Sequence, residues 1–525
     1  MNQYYPFGDP DGARAELVDI MDGFVGFSSR AGWGGIATDP DDRSVRVIVG
    51  KKGSGKTIYL RRLQVSTRSE DSVFSQSIQS DAPSTSQILS FCEICQGEQV
   101  TEKWRELWTS AILSSVLSHL LCKKYFRDHV NNKDREELKK KFSSLLPDTS
   151  APYSAYAMVN YYISQISTSS RYEDFMNRSI WVELKQELSD ILKDSPPIFF
   201  YLDAVDEEFA HAPMEWHQCQ KGLFYSVMRM LREQGTLGGR LHVTICIRDI
   251  VFSSVLRSEH AGRYRNAPHI CKLNWDTTRI THFLIRKIEK LDDRYFDDPK
   301  KPKNIDNFLS MKTIYNKSRG VDEDLLSYIV RHTRFLPRDI VEVGNDLARA
   351  KLTLKATNRY DAESWQEVIR KYIARNSRTF GDEQLTICAN QLASHDRPNR
   401  SARHGYDEFY TAGKEYIASR ATFLKDVIRM IGTEVFSVSD LAQTRQTIDA
   451  EVPENVDVFS ILWQNGLLGC KLDSLEEGYR FFNLEDRDDF LLPDDAVDFA
   501  FHSSLIDCVK LKISGETPII ESQVI

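Results

Sequence analysis

The run VRVIVGKKGSGKTIYLRRL, Val45 to Leu63, limits what this chain can fold into more than any other stretch. Gly50, Gly55, Lys56 and Thr57 fit G-x-x-x-x-G-K-[ST] without a gap. The β-branched residues before it predict a short buried strand, and the apolar spacing of TIYLRRLQ after it predicts a helix. Strand, glycine turn and helix in that order belong to an α/β fold with a parallel sheet. Glycines let backbone N–H groups curl around phosphates, and the helix presents its positive end to them. The pattern therefore assigns Gly50, Lys51, Lys52, Gly53, Ser54, Gly55, Lys56 and Thr57 to binding ATP. Lys56 is directed to the β- and γ-phosphates and the Thr57 hydroxyl to Mg²⁺.

Hydrolysis also needs a carboxylate at the tip of a neighbouring strand. PPIFFYLDAVDEEF supplies it: Ile198 to Leu202 reads as a buried strand, and Asp203 follows as the second Mg²⁺ ligand. Asp206 or Glu207 then polarises the attacking water. LHVTICIRDIVF, Leu241 to Phe252, reads as a further buried strand ending in Arg248.

FFYLDAVDEE resembles the Walker B segment of STAND-type and related AAA-like (ASCE) P-loop ATPases. The resemblance extends over about Val45 to Leu352. It makes Arg248 a sensor-1 residue. HICKLNWDTTRITHFLIRKI is similar to the strand and first helix that lead into a helical lid. RHTRFLPRDIVEVGNDL is similar to the lid segment carrying a sensor-2 arginine, here Arg338. In VLRSEHAGRYRNAP the resemblance implies an arginine finger acting on a neighbouring copy, with Arg263 and Arg265 as candidates ahead of Arg257. Bacterial ATPases of this kind, with a lid and a winged-helix tail, are akin to origin-recognition initiators, and several belong to anti-phage defence loci. The resemblance thus implies a homo-oligomeric ATPase working as a conformational or assembly motor, with a partner effector. The alternatives are a DNA-binding initiator-like ATPase and a slow nucleotide-gated switch. One departure stands out: about 150 residues separate the glycine loop from Asp203, so residues 127–194 read as a helical insertion.

Turn residues and periodicity divide the chain further. Residues 1–44 form an N-terminal segment that the resemblance places beside the nucleotide, with a helix over Ala13 to Phe24. Residues 45–275 form the P-loop core, 276–376 a helical lid, 377–420 a polar linker, 421–512 a winged-helix-like module and 513–525 a tail. Winged helices often read DNA, so charge decides. Ala421 to Lys510 holds seven Lys/Arg and eighteen Asp/Glu, a net −11 within a chain of −8. That module is read as a protein-contact or intramolecular control element. Nucleic acid, less favoured, is left to the lid or to the lysine-rich run Lys123 to Phe142, with eight basic and four acidic residues.

No apolar run reaches the ~18 residues of a membrane helix and no leader pattern opens the chain, so the expected compartment is the cytoplasm. Nine scattered cysteines fit reduced thiols. Cys92, Cys95, His119 and Cys122 could in principle hold zinc. However, cysteine on an apolar helix face is more often a small core residue. The sequence shows neither a protease-type nucleophile nor an internal repeat.

Overall fold

β1 (Val47–Gly50) is buried along its whole length, which explains its unbroken apolar character: a strand covered on both faces has no polar side to present. It belongs to a computed structural model that describes residues 5–12, 14–15, 45–66, 73–76, 83–95, 99–122, 132–148, 151–169, 172–176, 179–193, 197–203, 213–233, 237, 239–258, 261–317, 319–357, 361–396, 406–453, 456–473, 478–482, 491–513 and 519–520. The protein is an α/β chain with a parallel sheet and a large helical share. It divides into two compact units: Asp39–Lys52 with Tyr59–Lys272, and Met1–Thr38 with Gly53–Ile58 and Leu273–Ile525. The division falls inside the glycine loop and the helix α1 (Lys56–Ser66) that follows it.

The first unit is built on a five-stranded sheet. Its other strands are β2 (Val73–Gln76), β3 (Ile198–Leu202), β4 (Leu241–Arg248) and β5 (Ile270–Lys272), in the spatial order β2-β3-β4-β1-β5, and every pairing is parallel. Between β2 and β3 the described residues form six α-helices: α2 (Thr85–Ile94), α3 (Val100–Cys122), α4 (Asn132–Phe142), α5 (Ala155–Ser169), α6 (Tyr172–Met176) and α7 (Ile180–Lys193). Ser84 starts α2 with a reciprocal capping box to Gln87. α3 is buried on every side from Ser110 to Leu121. It packs against α5, α7 and α8 (Pro213–Arg232), leaving no face for water. Two short helices, α9 (Asp249–Leu256) and α10 (Ala261–Tyr264), connect β4 to β5.

In the second unit, α11 (Thr277–Glu289), α12 (Ile305–Leu309), α13 (Leu325–Arg331), α14 (Pro337–Ala356) and α15 (Ala362–Asp396) enclose one core with Phe7, Phe283, Phe308, Leu347 and Trp365 at its centre. The Trp365 indole N–H donates to the Leu309 carbonyl at 2.8 Å, so its polar edge is satisfied where it is buried. Within 276–376, β6 (Thr313–Asn316) and β7 (Val321–Asp324) form an antiparallel hairpin, turning at Gly320, among the helices. One sequence expectation needs correcting here. Residues 377–420 are not simply a linker. α15 runs on to Asp396 because Phe380, Leu385, Cys388 and Leu392 repeat at helical spacing and are buried, and α16 (Tyr406–Ile431) starts well before 420.

The C-terminal part of this unit continues with β8 (Val435–Ser437), α17 (Val438–Ile448), α18 (Val458–Gln464), β9 (Leu468–Lys471), β10 (Gly478–Phe481), β11 (Asp498–Phe501) and α19 (Ser503–Leu505). With β12 (Ile519–Ile520) the strands form a second sheet in the order β12-β10-β9-β11-β8. Phe436, Phe459, Trp463, Phe499 and Phe501 fill its core.

Candidate functional site

The glycine loop leaves β1 at Gly50 and ends where α1 begins at Lys56. Gly53 has φ +88° and Gly55 φ +92°, left-handed backbone that an L side chain adopts only under strain. A Cβ on Gly55 would meet nothing within 4 Å. One on Gly53 would lie 3.2 Å from Arg338 Cβ. Ser54 is buried, and its Oγ has no hydrogen-bond partner among the described residues. Lys56 is buried at the helix start, and Thr57 is half-buried beside it.

Three elements of the second unit hold this loop. The Trp275 indole N–H donates to the Ser54 carbonyl at 2.9 Å. The Arg338 main-chain N–H, in the first turn of α14, donates to the Gly53 carbonyl at 3.3 Å. The Arg338 side chain turns to the N-terminal segment, its Nε donating to the Pro10 carbonyl at 3.2 Å. That segment is itself fastened to α14. Phe7 N–H donates to Asn345 Oδ1 (2.8 Å), and Asn345 Nδ2 donates to the Gly8 carbonyl (3.0 Å). Phe7 lies so close to Gly344 that a Cβ there would be 2.5 Å from its ring. Gly12 comes near Thr57 and Ile58 in the same way. One turn along α14 from Arg338, burial pushes the Glu342 carboxyl up to about 7, with Asp339 and Glu383 adding to the rise.

In the first unit, the C-terminal edge of the parallel sheet is where ligands of open α/β sheets bind. Gly50 of β1 is level with Arg248 of β4. Arg248 is buried, and its main-chain N–H donates to Gln220 Oε1 of α8 at 3.3 Å. Asp203 follows β3 directly; its carbonyl accepts from the Tyr156 hydroxyl of α5, and the residue is half-buried. β4 lies between β1 and β3, so the strand carrying the glycine loop and the strand carrying Asp203 are next-nearest neighbours, not the adjacent pair the sequence reading expected. Asp206 and Glu207 lie outside the described residues, as do most of residues 13–24, the expected N-terminal helix. Arg263 is exposed on α10, and Arg265 follows it, half-buried, with its carbonyl accepting from Lys272 Nζ at 2.9 Å.

Among the described residues no group of three or more His, Cys, Asp or Glu is arranged to hold a metal ion. His119, one of the four residues considered for zinc, instead hydrogen-bonds the Ser115 carbonyl and packs edge-on to Phe200, while Cys95 is buried and its thiol pushed up to about 12 by burial. No helix of the described residues is long and apolar enough to cross a membrane.

The sequence reading did not single out Trp275, Asn345, Gln220 or Tyr156. Trp275 had a usable signal, an indole one residue before the Asp276 cap of α11. The other three act through contacts that only the fold creates. No protein-family profile matches this chain, and none of the curated proteins is detectably similar to it in sequence.

Proposed function

We propose that this chain is a P-loop ATPase of the AAA-like kind whose nucleotide state sets its shape or assembly. In this reading Gly50, Lys51, Lys52, Gly53, Ser54, Gly55 and Lys56 hold the triphosphate, and Thr57 and Asp203 hold Mg²⁺. Asp206 or Glu207 acts on the attacking water, and Arg248 and Arg338 serve as the sensor residues. The observation that carries the reading is the loop itself: two left-handed glycines, an orphaned buried Ser54 hydroxyl and a buried lysine at a helix N-terminus. The strand order, with β4 between β1 and β3, supports the division of labour between a phosphate strand and an acidic strand.

The C-terminal module, two helices followed by antiparallel strands, is read as a winged helix serving as a protein-contact or control element. The nucleic-acid alternative has less support, because cations in the regions considered for it are already paired with carboxylates of the chain itself. Lys351 lies 2.9 Å from Asp297, Arg349 lies 2.6 Å from Asp346, and Lys141 lies 2.9 Å from Glu187. Arg263, exposed on α10, suits an arginine finger acting on a second copy, a contribution of about 10³ or more in turnover.

The test is phosphate release from ATP by the full chain over a range of protein concentrations. Wild type releases phosphate, whereas Asp206→Asn or Glu207→Gln binds ATP and releases none. Wild type that binds ATP yet releases no phosphate at any concentration, or with added protein or nucleic acid, removes the hydrolytic half of the proposal.

A further inference from the structure

Phe335 has φ +56°, a left-handed conformation that a large aromatic residue adopts only where its surroundings impose it. Those surroundings are visible on both sides of it. Before it, Thr333 is fully buried, and its Oγ1 donates to the Val330 carbonyl and accepts the Phe335 N–H at 3.3 Å. Arg334 is fixed by Asp339, which is fully buried: the Arg334 main-chain N–H, Nε and Nη2 reach its two carboxylate oxygens at 2.8, 2.9 and 2.6 Å. After it, Leu336 caps α14, and the Leu336 and Arg338 side chains both approach Gly53 of the glycine loop.

The Phe335 ring packs against the edge of the core around Phe283 and Trp365 and also reaches the C-terminal module. It meets the His502 ring edge-on, with centroids 5.4 Å apart. His502 is buried, its Nδ1 accepts the Ser504 N–H at the start of α19, and Phe481 of β10 covers it from another side at 5.6 Å. Three residues of one short segment therefore join two places. Residue 335 reads the module, and residues 336 and 338 touch the loop.

We propose that Phe335 is a positioning residue through which the C-terminal module controls the glycine loop. Contact with His502 keeps residue 335 left-handed, and that backbone sets Leu336 and Arg338 against Gly53. When the module withdraws, nothing on that side opposes relaxation of residue 335 to negative φ, and the start of α14 shifts from the loop. The segment is thus a two-state element biased from both ends. Coupling of this kind is reciprocal: nucleotide at the loop must change docking of the module by the same factor that docking changes nucleotide affinity. The inference rests on the reading that the loop holds nucleotide phosphates.

The experiment is a double-mutant cycle on affinity for a fluorescent, non-hydrolysable ATP analogue, with Phe335→Ala, His502→Ala and the double variant in the full chain. Each single change weakens affinity at least fivefold, and the double variant is no weaker than the weaker single within twofold, because both remove one contact. Singles within twofold of wild type, or a double variant equal to the product of the singles, overturn the proposal. A second measurement needs no variant. Amide exchange of residues 498–506 in wild type changes at least threefold when the analogue binds, and unchanged exchange with bound analogue overturns the relay alone. Wild type that binds no better than Lys56→Ala removes the nucleotide reading beneath it.

Discussion

The two units place their charges differently. In the unit built on the parallel sheet, ion pairs lie at the surface: Lys141 with Glu187 leaves both side chains 40% exposed, and Lys193 with Asp190 is more open still. In the unit that carries α11 to α15 and the C-terminal module, several charges are internal. Arg319 of the β6–β7 hairpin is 2% exposed and Glu434, just before β8, is fully buried, with Nη2 donating to both carboxylate oxygens at 2.7 and 2.6 Å. Arg331 adds a second arginine through Glu323, and Arg334 with Asp339 repeats the arrangement beside the glycine loop. Surface pairs gain little over hydration in water. Internal pairs gain little net energy as pairs, but losing one partner leaves a charge stranded, so they fix geometry. Arg319 with Glu434 ties the hairpin to the C-terminal module and Arg334 with Asp339 fixes the entry to α14, which is where a nucleotide-dependent rearrangement would have to act.

The sharpest way to break this contrast is Glu434→Ala, which takes the close carboxylate from buried Arg319 and leaves it only Glu323, 3.9 Å away. It lowers unfolding stability by about 3–5 kcal/mol in urea titrations, whereas replacing both partners with apolar residues recovers most of the loss. The next is Glu342→Gln. Glu342 has its carboxyl raised from 4.5 to about 7 by burial, Asp339 and Glu383. At pH 4 it is largely protonated folded and unfolded, so glutamine changes nothing. Above about 4.5 the unfolded chain ionises while the folded chain keeps its proton, and wild type loses stability until about 7. The variant is therefore more stable at pH 8, on the order of 2–3 kcal/mol allowing for partial exposure, and melting curves at pH 4 and 8 check the sign. Gly53→Ala follows, with a loss of about 1–2 kcal/mol from left-handed backbone and contact with Arg338, and with weakened nucleotide binding measured in parallel. Smallest is Lys141→Ala, below about 1 kcal/mol in the same urea titration.

Local features were legible in the sequence. The strand β3 is a continuous apolar run followed by Asp203, β4 is rich in β-branched residues and ends at Arg248, and the glycine loop announces its own turn. What was hidden depends on residues far apart. Phe7 and Asn345 meet across 338 positions and Arg319 and Glu434 across 115, and no local window carries that information. The lysine-rich run near α4 counts as strongly basic by itself, yet Lys141 is paired by Glu183 and Glu187 of α7. Residues 377–396 read as linker because polar residues dominate the composition, while the buried stripe through Phe380 and Leu392 is narrow. The left-handed turn at Phe335 had no signal, since glycine or asparagine would be the usual residue there.

The central claim is that the loop ending in Lys56 and Thr57 binds the phosphates of a magnesium nucleotide. Titrating a fluorescent ATP analogue into wild type and Lys56→Ala, with Mg²⁺ and with chelator, tests it directly. Saturable binding that needs Mg²⁺ and weakens about a hundredfold in Lys56→Ala is the predicted result, matching the loss of charge-assisted contacts to two phosphates. Equal affinity in the two proteins, or no binding by wild type, contradicts it.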